Sequence, residues 1–341
     1  MMHSLARYKN ALAYGITLLL GIVLFYFAFR NQSVSELWYE IKKVNYWWSV
    51  PVLVTTLLNH WMRAYRWKLL ITTYHALPLR LSQVFLAMMT GYFVNIAIPR
   101  LGEISRCATL KKTENVAFIP TLGSVITERL LDVFSLLLVV ILVTFWQYEQ
   151  LFRFLNIQIL QPITAILPSH TAYYSVFLLL VATFLLAIMF MLRKKIPQVL
   201  QSLFSELLTG LKSFFQLGTN HLIQTILLTL GLWATYWLMS YLWFHSVAET
   251  AHLGIEVAFA LLAVGSLARS VPIQGGGMGA YHFLTSQLLL VYGVATLHGL
   301  TLVTVIHAFQ TIFYLLAGGI SLSITFFFHQ SSEKRAVFSN V

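Results

Sequence analysis

One short stretch carries residue types that do not suit its surroundings: Thr127-Glu128-Arg129-Leu130-Leu131-Asp132, followed by sixteen residues without a formal charge. On a helix, Glu128 and Asp132 fall at i and i+4 on one face, with Arg129 beside them. A charge inside an apolar span costs ~2.5–3.5 kcal/mol on insertion scales. These three side chains must therefore face a bundle interior or a polar cavity and find partners there. Arg100, Arg106 and Arg269 are the expected partners. Such a group can neutralise an anionic headgroup, because guanidinium stays charged and grips phosphate bidentately. Glu103, Glu128 and Asp132 would hold the arginines in place or meet a cationic headgroup. A purely structural salt-bridge cluster fits the same spacing.

Two helix breaks accompany this stretch. In Asn95-Ile96-Ala97-Ile98-Pro99-Arg100-Leu101-Gly102-Glu103-Ile104-Ser105-Arg106 a proline and a glycine three apart interrupt a helix. Arg100, Glu103 and Arg106 then recur at i, i+3 and i+6. The second half repeats the device in Arg269-Ser270-Val271-Pro272-Ile273-Gln274-Gly275-Gly276-Gly277-Met278-Gly279, with His282 just beyond. Inside a bilayer, freed backbone groups are tolerated only where protein or water satisfies them. Broken helices at matching places in two halves point to an inverted-repeat transporter with its substrate site between them. Gly275, Gly276, Gly277 and Gly279 allow close backbone approach and can offer N–H groups to an anion. Asn95, Gln274 and His282 join them as candidate substrate-binding residues. The plainer readings are a loop of solvated charges for the first break and a glycine turn or close packing for the second. His282, His298 and His307 make no recognisable metal spacing, so no metal and no other cofactor is expected. No nucleotide-binding G-x4-G-K-[ST] loop occurs, so movement would run downhill or with an ion gradient, Glu128 or Asp132 carrying the proton.

The elements that must position these residues are apolar helices. Of 341 residues 58% are hydrophobic and 10% charged, with a mean hydropathy of +0.76, against the ~25% charged of soluble domains. Ala11–Phe29, Thr171–Leu192 and His221–Ala248 carry no Asp, Glu, Lys or Arg. Each is long enough for a ~30 Å hydrocarbon core, and continuous apolarity excludes the alternation of a barrel. Further spans are expected near Tyr46–Met62, Leu81–Pro99, Phe118–Tyr148, Leu222–Val247, Val257–Ala268 and within the uncharged Ser270–Phe328. Residues 35–45 and 196–217 carry apolar stripes of interfacial helices. The first apolar stretch lacks a small-residue cleavage site and is expected to be retained. Cys107 is the single cysteine, so an intrachain disulfide is excluded. The net charge of +11 suits cytoplasmic loops beside anionic lipid, not nucleic acid.

Eight Lys/Arg and one acid lie between His60 and Lys112, flanking Leu81–Pro99 on both sides. If both flanks are cytoplasmic, that segment must enter and return. The loops around Glu149–Arg153 and Glu249–Glu256 are poor in Lys/Arg and are placed outside, the two termini inside. Val257–Val291 must then be a second re-entrant pair from the outer face. The expectation is an all-α polytopic membrane protein forming one domain over 1–341, in halves 1–170 and 171–341. It has about six transmembrane helices and two opposed re-entrant hairpins in an inverted repeat.

Four ordered motifs carry a resemblance: Arg63-Ala64-Tyr65-Arg66-Trp67-Lys68-Leu69-Leu70; Asn95-x3-Pro99-x2-Gly102-Glu103-x2-Arg106; Glu128-Arg129-x2-Asp132; and Pro272-x2-Gly275-Gly276-Gly277-x-Gly279. The chain resembles the lysylphosphatidylglycerol synthase transmembrane-region family over nearly its whole length. The resemblance implies a lipid flippase-like module in a bacterial inner membrane. Its partner would be an anionic phospholipid, an aminoacylated lipid or a polyprenyl phosphate. His282 stands where the family often has Glu. No aminoacyl-transferase domain is expected in a chain ending at Val341, so lipid synthesis is not carried over and an enzyme is not expected. A membrane transferase with a Glu103, Glu128 or Asp132 base, and a non-transporting assembly partner, are the rival readings.

Overall fold

A backbone in an apolar medium must satisfy its own N–H and C=O groups, and the apolar runs of this chain accordingly form helices. The computed structural model describes residues 19, 21–72, 78–98, 101–157, 161, 217–270 and 277–338, with side chains to 327. Every regular element among them is helical. In chain order they are α1 (residues 21–29), α2 (Val34–Lys43), α3 (Ser49–Thr72), α4 (Leu81–Ala97), α5 (Leu101–Glu114), α6 (Phe118–Trp146) and α7 (Tyr148–Leu155). After the described part resumes come α8 (Thr219–Phe244), α9 (Ile255–Ser270), α10 (Ala280–Val291) and α11 (Thr296–Phe338). Most of the first expected span, Thr171–Leu192 and nearly all of 196–217 lie outside the described residues.

Helices α6, α8 and α11 as far as Phe327 are long and apolar enough to cross a membrane. With 29 residues, α6 is ~43 Å long at 1.5 Å per residue. Its far half exposes Phe134, Leu138, Ile141, Leu142 and Phe145. An apolar band of that extent has its natural solvent in lipid tails. The chain is an integral membrane protein. The stretch expected as an interfacial helix at 35–45 contains the amphipathic α2, which buries Leu37 and exposes Trp38 and Tyr39.

One boundary differs from expectation. Hydropathy predicts that the second span ends near Met62, with Arg63, Arg66 and Lys68 in a basic flank. Instead α3 runs unbroken to Thr72, and its last turns bury Arg63, Arg66 and Trp67. Hydropathy alone misses this, because charges neutralised by partners elsewhere in the bundle still count against a span.

The helices flanking each expected break pack against each other as hairpins, with residues 99–100 and 271–276 outside the described part. In the first, Arg80 before α4 pairs with Glu114 at the end of α5 (3.1 Å), so the open end lies where α6 begins. In the second, Gln147 just past α6 bonds both sides of the open end. Its Nε2 donates to the Glu256 carbonyl at 2.6 Å, and its Oε1 accepts from the Tyr292 hydroxyl. The two hairpins therefore open towards opposite ends of α6.

Close backbone contact holds the first hairpin together. A Cβ on Gly91 would come within 2.7 Å of the Gly102 carbonyl oxygen, and one on Gly102 would overlap Gly91 and Asn95. At the tip, Asn95 Oδ1 accepts from the Gly102 N–H at 2.8 Å, satisfying one of the orphan donors at the start of α5. In the second hairpin Gly279 has φ +91, and a Cβ there would overlap the Gly21 carbonyl of α1. No L side chain fits that crossing.

Candidate functional site

The buried face of α6 meets α3 and α5 at an ionic centre. Glu128, fully buried, accepts from Arg63 Nε at 2.8 Å and lies 2.8 Å from Arg106 Nη2. Asp132, one helical turn on, accepts from Arg63 Nη2 at 2.8 Å and from Arg66 Nη2 at 2.6 Å. Arg63 thus bridges both carboxylates, the arrangement that the i, i+4 spacing allows a planar fork to reach. Glu103 of α5 pairs with Arg129 at 2.8 Å. Four arginines therefore face three carboxylates, leaving a cationic balance.

Neutral groups complete the shell. Arg63 Nη1 donates to the Tyr236 hydroxyl at 3.0 Å, and Arg66 Nη1 to Thr229 Oγ1 at 3.1 Å, both on α8. The Arg106 guanidinium lies 4.3 Å over the Trp67 ring, whose Nε1 donates to Ser124 Oγ at 3.0 Å. The centre consequently joins α3, α5, α6 and α8.

Beside it opens a cavity of ≈ 540 Å³ between α3, α6, α8, α9, α10 and α11, within the ~300–1,000 Å³ usual for small-molecule sites. Arg63, Arg129 and Asp132 contribute the ionic wall, and Arg269 at the end of α9 also lines the space. Glu128 and Arg66 are sealed behind that wall, whereas the Asp132 and Arg129 side chains stay 24% and 42% exposed. Arg269 makes no ion pair among the described residues; its guanidinium stacks 3.9 Å over the Tyr281 ring. Trp233, Tyr236, Tyr281 and Tyr314 add aromatic surface.

The expected residues separate into three groups. Arg106, Glu128, Arg129, Asp132 and Glu103 come together in the centre, and Arg269 joins Arg129 and Asp132 on the cavity. Arg269 was expected to pair with the acidic residues and does not; Arg63 and Arg66 take that place. Asn95, Gly277, Gly279 and His282 do not line the cavity. Asn95 caps the first hairpin tip, and a Cβ on Gly277 would sit 3.1 Å from the Arg269 Cα. His282 is buried among aromatic rings, 5.8 Å from Phe29 and 5.1 Å from His307. Arg100, Gln274, Gly275 and Gly276 lie outside the described residues. Arg63 and Arg66 are the functional candidates that spacing missed. Their sequence signal was an i, i+3 arginine pair next to Trp67 within an otherwise apolar helical pattern.

An all-helical bundle with opposed hairpins and an arginine-rich cavity against a buried carboxylate pair defines a polytopic membrane protein with a polar site in its interior. The chain belongs to the lysylphosphatidylglycerol synthase TM region family, whose model matches residues 12–318. That membership is consistent with a lipid-related function in the membrane. No curated protein and no solved structure gives a significant match.

Proposed function

We propose that this protein is a lipid flippase-like carrier that binds an anionic headgroup, of a phospholipid or a polyprenyl phosphate, in the cavity beside the ionic centre. The observation that carries the reading is Arg269: a guanidinium with no ion pair among the described residues, on the same cavity as Arg63, Arg129 and Asp132. A phosphate entering there would complete its charge balance. The headgroup would take donors from Arg269 and Arg129 while Asp132 keeps the Arg63 and Arg66 forks in position. Asp132 faces the cavity and Glu128 does not, so Asp132 is the better placed of the two to exchange a proton with it. The role is binding and movement, without bond-making. Native mass spectrometry of the purified protein should find an anionic lipid retained. Arg269→Gln should lose it; equal retention in the variant would count against the site.

The proposed setting is a bacterial inner membrane with both termini cytoplasmic. Six crossings and two re-entrant hairpins would bring the hairpin tips to mid-membrane from opposite faces. The Arg80–Glu114 pair and the Gln147 bonds support this, since each closes the open end of one hairpin. In a Cys107→Ser background, single cysteines at 80 and 112 should be labelled from the same side of sealed vesicles. Labelling from opposite sides would require α4–α5 to cross.

A further inference from the structure

Away from the ionic centre, three metal-ligating side chains from distant parts of the sequence converge. Glu40 lies on α2, Glu249 in the short 3-10 turn Ala248–Thr250, and His298 in the first turn of α11. One ligand atom from each lies within 4.8 Å of the others. His298 Nδ1 is 3.5 Å from Glu249 Oε2 and 3.8 Å from Glu40 Oε2. That nitrogen is shielded from solvent and has no hydrogen-bond partner among the described residues. It is an orphaned buried ligand atom aimed at two carboxylates.

The surrounding structure holds the ligands ready. Glu40 uses its other oxygen, Oε1, to accept from Lys43 Nζ at 2.8 Å, which orients Oε2 towards His298. The Asn45 N–H donates to the Ser246 carbonyl at 2.8 Å, fixing the end of α2 beside the turn. The buried Thr250 hydroxyl donates to the Phe244 carbonyl at 2.7 Å and fixes the turn itself. Bonds of about 2.0–2.1 Å to a tetrahedral zinc put neighbouring ligand atoms about 3.3–3.4 Å apart. The imidazole–carboxylate separations therefore need to close by only a few tenths of an ångström. Mixed imidazole and carboxylate donors suit zinc and other first-row transition metals; calcium and magnesium prefer oxygen alone.

We propose that Glu40, Glu249 and His298 form a zinc-binding site that clamps α2 and the Ala248–Thr250 turn to the start of α11. Three protein ligands leave one coordination position for water, and Lys43 steadies Glu40 from behind. The site lies apart from the cavity, so its test does not depend on how lipid is handled.

The test is isothermal titration of tag-free, full-length protein in detergent with zinc chloride, with magnesium chloride as control and melting followed in parallel. Zinc should bind one per chain and raise the melting temperature, and magnesium should do neither. His298→Ala should weaken zinc binding by at least about 10-fold and abolish the thermal shift. Glu249→Gln, at a half-exposed side chain, should act likewise and carries the test if His298→Ala does not fold. Equal zinc affinity in wild type and folded variant, or no zinc-dependent shift in the wild type, overturns the site.

Discussion

Glu128→Gln should destabilise this protein by about 3–5 kcal/mol, the usual penalty for stranding a buried charge by removing its partner. The carboxylate is fully buried against Arg63 and Arg106, with Arg66 Nη2 3.7 Å away. Glutamine keeps the volume but removes the charge, leaving Arg63 and Arg66 with Asp132 and Arg106 with no carboxylate among the described residues. The loss is large beside a net stability of ~5–15 kcal/mol. It should appear as a collapse of the monodisperse peak in detergent and a much lower melting temperature. Asp132→Asn should cost less, because Arg63 and Arg66 keep Glu128 at 2.8 and 3.7 Å and the Asp132 side chain is itself 24% exposed. Adding Arg106→Leu to Glu128→Gln should recover part of the loss, since one stranded charge then goes too. An unchanged melting temperature in Glu128→Gln would show that the arginines are not held as described.

Arg269→Gln should do the reverse, leaving the fold intact and removing the function. This side chain is exposed and makes no ion pair among the described residues. Its stacking on Tyr281 is worth roughly 0.5–1 kcal/mol at an exposed site. A charge-assisted bond to a headgroup phosphate is worth about 1.5–3 kcal/mol, which converts to a roughly 10- to 150-fold loss of affinity. Stability and function are thus assigned to different arginines. Arg63, Arg66 and Arg106 are occupied by carboxylates, and Arg269 meets none among the described residues.

Much of this division could be anticipated from sequence, for identifiable reasons. Glu128, Arg129 and Asp132 stand out because charge inside an apolar run has to be explained. The Pro-x2-Gly breaks mark the ends of α4 and α9, and the opposed hairpins follow from the distribution of basic residues. Of the partners, Arg106 followed from sequence and Arg63 and Arg66 did not. Arg63 and Arg66 sit near Lys68 and Arg80 in a basic stretch, where charge counting assigns them to a flank. Their burial depends on residues 65 to 69 positions away in the chain. The glycines illustrate the same limit. Gly102 is legible as a break, but its need for a missing side chain is set by Gly91 across the hairpin, and that of Gly279 by Gly21. Glu40, Glu249 and His298 show no metal spacing because each comes from a separate element. Local chemistry is written along the chain, whereas partnerships between distant helices exist only once it is folded.

The most direct test of the central claim is a translocation assay in sealed vesicles. Purified protein would be reconstituted with fluorescent phosphatidylglycerol and, separately, a fluorescent polyprenyl phosphate, and leaflet exchange followed by quenching. The wild type should exchange at least one of these lipids faster than protein-free vesicles. Arg269→Gln should slow that exchange at least about 10-fold, with melting temperature and reconstitution yield unchanged. A wild type no faster than empty vesicles for either lipid, or an Arg269→Gln variant as fast as wild type, would contradict the account.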